Sequence, residues 1–339
     1  MIHNFFFRFG STVSEIFVNI LLAYLILSLL LTIYAIVWMY MVEHKTNDTK
    51  SGRKRMLQLQ KEGRFLQMPV YTMEEIEEDG HLEDVRLMRF SADNDEVRPF
   101  VMILPGGGYA HCCTREEGYP VAAALNKLGY TAFILEYRTG FKCSPFGPME
   151  DLGNALKLIE DNADRWGVTM KGYALMGFSA GGNLAGIFAS NHHGYKDFDL
   201  PKPGAVILGY PWTCVNDWLK HPYWNMWIGL LGIWLSNRGA VHMFGLAHMF
   251  KGRKALDVHS YIEDDYPATY MFSGGRDVLV PASRHADVFA ECLEDHNVRH
   301  VYQQFFGLPH GIGLGKGTKA EKWLSHAVDF WQEAIKENI

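Results

Sequence analysis

From about residue 81 onward, short apolar runs alternate with stretches of helical period. Val85–Met88 alternates as an early strand does, and Phe100–Leu104 is a continuous apolar run of the kind buried on both faces. The pattern then predicts a helix over Val121–Leu128, a strand over Thr131–Leu135 and a helix over Met149–Ala163. A strand at Tyr173–Met176 and a helix at Gly182–Ser190 follow. Further strands are expected at Ala205–Leu208, Ala268–Phe272 and His300–Phe306, with a closing helix at Trp323–Ile335. Strand–helix alternation of this length predicts an α/β fold, a mostly parallel sheet with helices on both faces.

Residues 211–262 break the rhythm. A connection that should be short carries Trp212, Trp218, Trp224, Trp227 and Trp234 and the apolar run Ile228–Leu235, too short to span a bilayer as a helix. Three readings fit: a helical insertion with its own small core, a cap over the active site, or a segment dipping into a bilayer surface.

The N-terminal pattern is different in kind. Ile16–Val42 holds no charged side chain over about 27 residues, and a bilayer core needs about 20. A signal peptide would have a shorter apolar region and a small-residue cleavage site. This run ends instead in Trp38-Met39-Tyr40-Met41-Val42, aromatic as at an interface, so a single retained anchor is expected. Lys45, Lys50, Arg53, Lys54, Arg55, Lys61 and Arg64 follow it, against Arg8 and the amino terminus before it, which puts the rest of the chain on the cytoplasmic side. The expected organisation is an anchor at 1–43, a charged linker at 44–80 and a catalytic domain at 81–339. The basic linker suits either solvent or anionic lipid.

Composition narrows the field modestly. The 339 residues are 48% hydrophobic and 21% charged, which is globular rather than disordered, and the net charge of −6 argues against nucleic acid as a partner. The five cysteines, Cys112, Cys113, Cys143, Cys214 and Cys292, show no zinc-ligand spacing and read as free or buried thiols of a reducing compartment; no metal is expected. The pair Cys112-Cys113 lies just after a glycine-rich turn, close enough to touch an active site.

The chemistry lies in four segments. Gly177-Phe178-Ser179-Ala180-Gly181 has the form G-x-S-x-G between a buried strand and a helix, where small neighbours permit a sharp turn and the helix N-terminus faces developing negative charge. Ser179 is therefore the expected nucleophile. Leu104-Pro105-Gly106-Gly107-Gly108-Tyr109 follows an earlier strand. By itself it would be a plain turn, and no Gly-Lys-Ser/Thr follows to make it a phosphate loop. Upstream of Ser179, its Gly107 and Gly108 N–H groups, with that of Ala180, are expected to form an oxyanion hole. A serine needs a base, and among 15 histidines His310 follows the last strand in a loop. The order Ser…Asp…His then selects Asp277, beyond the strand ending at Phe272. Asp264 and Asp265 precede that strand, and Asp287 lies in a helical pattern.

These segments, with Gly274-Gly275-Arg276-Asp277-Val278-Leu279-Val280-Pro281 and Pro309-His310-Gly311-Ile312-Gly313-Leu314, resemble the bacterial acetyl esterase/lipase group of α/β hydrolases, which includes enzymes similar to acetylxylan and feruloyl esterases. Arg115–Ala122 and Leu135–Arg138 carry the same likeness, which extends over about residues 83–335. The resemblance implies an α/β-hydrolase fold, a Ser179–Asp277–His310 triad, the same oxyanion hole and deacylation of small esters, often acetyl groups on sugars. Pro105 stands where related esterases often have histidine. No cofactor is implied. Loop position suggests Tyr109 and Trp212 beside the alcohol of the substrate. The anchor and the apolar insertion also suit a membrane-surface lipase or lipid deacylase, and a non-catalytic binding protein on a hydrolase fold is the third reading.

Overall fold

The computed structural model describes residues 2–93, 96–140, 146–215, 227, 228, 230, 234, 241 and 254–337, with the helix backbone alone for 2–14. Eight strands form one sheet: β1 Phe65–Pro69, β2 Arg86–Phe90, β3 Arg98–Leu104, β4 Ala132–Glu136, β5 Val168–Phe178, β6 Ala205–Gly209, β7 Thr269–Gly274 and β8 His300–Phe305. Their order is β1-β2-β4-β3-β5-β6-β7-β8. β1 and β2 pair antiparallel and β2 runs antiparallel to β4, while every pair from β4 through β8 is parallel.

Alternation along the strands sends side chains to two cores. Phe100, Met102 and Leu104 of β3 join one cluster, and Val101 and Ile103 join the other. Among the described residues the principal helices are α1 Ile2–Thr46, α2 Thr49–Lys61, α3 Met73–Glu78, α4 Tyr119–Lys127, α5 Gly147–Asp161, α6 Ala163–Trp166, α7 Ala180–Phe188, α8 Ala286–Asp295 and α9 Trp323–Glu337. Residues of α5, α7 and α8 fill the first cluster; those of α4 and α9 fill the second. Both faces are thus covered, as central strands without polar alternation require.

Residues 44–80 are not a linker. α2 packs on α4: Leu59 is fully buried with Val121, Ala122 and Leu125, and Arg55 donates to Asn126 Oδ1 at 2.6 Å. Gly52 lies so close to Pro120 that a Cβ there would sit 2.5 Å from its nitrogen. β1 adds the sheet's edge. The charge pattern hid this helix because Lys50, Arg53, Lys54 and Lys61 share its outer face and few apolar residues mark the inner one. Leu59→Ala is expected to cost about 2–5 kcal/mol, read as a lower denaturation midpoint; a shift within error would show that α2 contributes no packing.

α1 is a single helix whose apolar length suffices to cross a bilayer. Its last turn docks on the loop before α9: Lys316 N–H donates to the Thr46 carbonyl at 3.1 Å, and Asn47 abuts Gly313. Most of the 211–262 insertion, including Trp218 and Trp224, lies outside the described residues, as does Cys143. Its described ends return to the fold, where Val258 N–H donates to Thr213 O at 2.8 Å. Trp227, within it, donates its indole N–H to the Leu25 carbonyl of α1 at 3.0 Å.

Candidate active site

Ser179, Asp277 and His310 meet at the carboxyl edge of the parallel strands, where loops after β3, β5, β6, β7 and β8 converge. Ser179 sits between the end of β5 and the start of α7 with φ 49° and ψ −115°, a conformation costing a side chain about 1–3 kcal/mol. The fold enforces it from both sides. Ser179 N–H donates to Gly209 O at 3.0 Å, and Trp212 N–H donates to Ser179 O at 3.0 Å. The close approach also explains the glycine at the end of the motif, since a Cβ on Gly181 would lie 2.0 Å from the Leu104 carbonyl oxygen.

His310 Nε2 lies 2.9 Å from Ser179 Oγ, and Nδ1 lies 2.6 Å from Asp277 Oδ2. A carboxylate only accepts, so Nδ1 carries the proton and Nε2 is left to take one from the serine. The other carboxylate oxygen of Asp277 accepts from the N–H groups of Leu279 at 2.9 Å and Val280 at 2.7 Å, which fixes its orientation. The rivals are engaged elsewhere: Asp264 with His296, Asp265 with Asn191, and Asp287 with Tyr302.

Burial pulls the His310 imidazole down, yet its pKa lies above the ordinary value because Asp277, and behind it Glu117 and Glu43, favour the charged form. A site that stabilises imidazolium this way assists the proton transfer in which His310 becomes charged.

The Gly107–Gly108 turn faces a cavity of about 260 Å³ that also reaches Ser179 and His310. Gly107 has φ 125° and Gly108 φ 62°, conformations that a glycine adopts freely. Among the described residues neither N–H has a hydrogen-bond partner. Ala180 is the first residue of α7, so its N–H has no intrahelical acceptor.

Tyr109 does not line this cavity. It is fully buried, with its hydroxyl donating to Asn183 Oδ1 at 2.8 Å and its ring against Trp212 and Tyr137, so its role is to pack beneath the loop. Trp212 does line the cavity, as do Cys113 and His111. Burial raises the Cys113 thiol well above its ordinary range, which makes it a poor nucleophile.

Sequence reasoning did not single out Glu117 or Tyr210. Glu117 is buried behind the glycine turn, accepting from Gly106 N–H at 2.6 Å and from the Tyr210 hydroxyl at 2.8 Å. Burial pushes its carboxyl up to about 7 against the opposing pull of those two hydrogen bonds. Tyr210 in turn accepts from Gly313 N–H at 3.1 Å and rests its ring on His310, centroids 4.8 Å apart. One carboxyl therefore couples the glycine turn to the loop carrying His310. Glu117 stands in the polar run Thr114-Arg115-Glu116-Glu117, where nothing local separates a buried carboxyl from an exposed one.

Residues 88–205 match the BD-FAE family. Over 240 residues the chain is 37% identical to an endo-1,4-beta-xylanase B of Butyrivibrio fibrisolvens, covering 68% of this chain and 35% of that protein. It is 29% identical over 252 residues to an acetylxylan esterase of Xylanibacter ruminicola, covering 74% of this chain and 48% of that one. The chain thus spans less than half the length of these curated relatives. Among solved structures, the acetyl ester-xyloside bifunctional hydrolase of Caldicellulosiruptor lactoaceticus superposes with a TM-score of 0.63 at 21% identity, covering 79% of this chain and 96% of that one.

Proposed function

We propose that this chain, which has the α/β-hydrolase fold and is a relative of BD-FAE and acetylxylan-esterase sequences, is a serine hydrolase of small carboxylic esters. The observation that carries the reading is the continuous chain from Ser179 Oγ through His310 to Asp277, at 2.9 and 2.6 Å, opening on a cavity lined by Gly107 and Gly108.

His310 Nε2 removes the Ser179 proton as Oγ attacks the ester carbonyl. The Gly107, Gly108 and Ala180 N–H groups receive the negative charge of the tetrahedral oxygen. His310 then protonates the departing alcohol, leaving an acyl-serine. Water, deprotonated by His310, attacks this ester and releases the carboxylic acid, which restores Ser179. Asp277 holds the imidazole tautomer throughout. Such acyl transfer requires neither a metal nor an organic cofactor.

Ligand cavities commonly run to about 300–1,000 Å³, and this one, at about 260 Å³, is small. That supports a short acyl group, acetyl foremost, over a long chain. The relatives named for acetylxylan and acetyl ester hydrolysis support a carbohydrate hydroxyl as the leaving group. Residues 16–42 are proposed to anchor the enzyme in a membrane as a single pass, with the basic residues after them keeping the catalytic part cytoplasmic.

A fluorophosphonate probe is expected to label the folded protein at Ser179, and p-nitrophenyl esters are expected to lose kcat/KM steadily from acetyl to octanoyl. A folded protein that resists the probe would overturn the serine-hydrolase reading. A preference for octanoyl would replace it with lipid deacylation.

A further inference from the structure

The end of the apolar helix is part of the active-site wall. Met39 and Glu43 of α1 line the same cavity as Ser179 and His310. Glu43 stands against Gly311, next to His310, so closely that a Cβ on Gly311 would lie 3.1 Å from its carboxyl carbon. A mere tether would leave the chain well away from the chemistry. Here Thr46, Asn47 and Asp48 fix the helix end to the 313–316 loop, with Lys316 Nζ donating to Asp48 at 2.8 Å.

Two further features bear on what enters. α2 begins at Thr49, directly beyond α1, and displays Lys50, Arg53, Lys54 and Lys61 along one exposed groove, a stripe suited to anionic lipid headgroups. Trp227 of the insertion meets α1 at Leu25, 14 residues before Met39, which is about 21 Å along the helix axis. Trp227 thus lies against the apolar helix, and on the anchor proposed above the cavity opens near the end of the apolar run.

The Glu43 side chain is half-buried and has no hydrogen-bond partner among the described residues. A carboxylate at the rim repels an anionic headgroup and accepts hydrogen bonds from hydroxyls. Building on the esterase reading above, we propose that the substrate is a short acyl ester on the uncharged, hydroxyl-bearing headgroup of a membrane lipid, with Met39 and Glu43 contacting that headgroup. The reaction is the one already written: the Ser179–acyl bond forms, the acyl–oxygen bond to the headgroup breaks, and the headgroup hydroxyl leaves with the proton from His310. Water then frees the acid.

The test uses the full chain in phosphatidylcholine vesicles with two probes sharing one reacting group, methyl and octadecyl 6-O-acetylglucoside, and p-nitrophenyl acetate as reference. The octadecyl probe is expected to show at least about tenfold higher kcat/KM than the methyl one, and its rate should fall as inert lipid dilutes it in the surface. Glu43→Ala should lower kcat/KM for the glucosides about tenfold more than for p-nitrophenyl acetate, which has no hydroxyl to offer. Hydrolysis of p-nitrophenyl acetate with no advantage for the octadecyl probe overturns this inference alone, as does an equal effect of Glu43→Ala on all three esters. No turnover of any ester, together with no fluorophosphonate labelling, overturns the esterase reading and this inference with it.

Discussion

Ser179→Ala is expected to lower kcat for p-nitrophenyl acetate about a millionfold and to abolish fluorophosphonate labelling. The size follows from covalent catalysis. Without Oγ there is no acyl-enzyme, and only the N–H groups facing the cavity and substrate positioning remain to assist water. The fold should survive the change, since Ser179 Oγ makes a single hydrogen bond, to His310, among the described residues. Its backbone bonds to Gly209 and Trp212 are untouched by the substitution. Turnover within tenfold of the parent, in a protein free of contaminating esterase, would remove Ser179 from the reaction.

The second large effect is expected from Asp277→Asn, a loss of about ten-thousandfold in kcat. The amide can donate where the carboxylate only accepted, so His310 is free to turn the wrong tautomer toward Ser179. This variant also carries a pH signature. Burial depresses the His310 pKa and the Asp277 charge raises it above the ordinary value. Removing that charge leaves burial to dominate, so the imidazole stays neutral to lower pH. The base must be neutral to act, and the acid limb of the kcat/KM profile should therefore move to lower pH. An acid limb that stays in place, or moves upward, would show that another group sets it.

How legible the molecule was depended on the range of the interactions involved. The strands from β2 to β8 and the helices α4, α5, α7 and α9 could be read within a few residues, because each declares itself in a local period of two or of 3.6. β1 and α2 could not. β1 is an edge strand with only Phe65 and Met68 partly inward, and α2 buries little besides Gly52 and Leu59. Their places depend on β2 and α4, which no window around residues 49–69 contains.

The same division runs through the site. Glycines around a serine after a buried strand, an acid after one strand and a histidine in the loop after another are local signals whose chain order already implies a meeting point. For Tyr109, sequence shows that it adjoins the glycine turn but not which way it faces; its positive φ of 58° turns it into the core, onto Asn183. Glu117 and Tyr210 were silent because a buried carboxyl looks like any surface one until Gly106, Tyr210 and Gly313 are brought around it.

By itself, then, the sequence determined the α/β alternation, the strand-to-helix turn at Ser179 and the chain order of the acid and histidine proposed as its partners, because backbone propensity and loop chemistry are written in neighbouring residues. Only the tertiary structure decided that a buried glutamate braces the glycine turn, that 44–80 belongs to the fold, and that Met39 and Glu43 line the cavity that Ser179 faces. Those relations join segments as far apart as Asp48 and Lys316, 268 positions along the chain, and they arise only when burial of both sheet faces folds the chain back on itself.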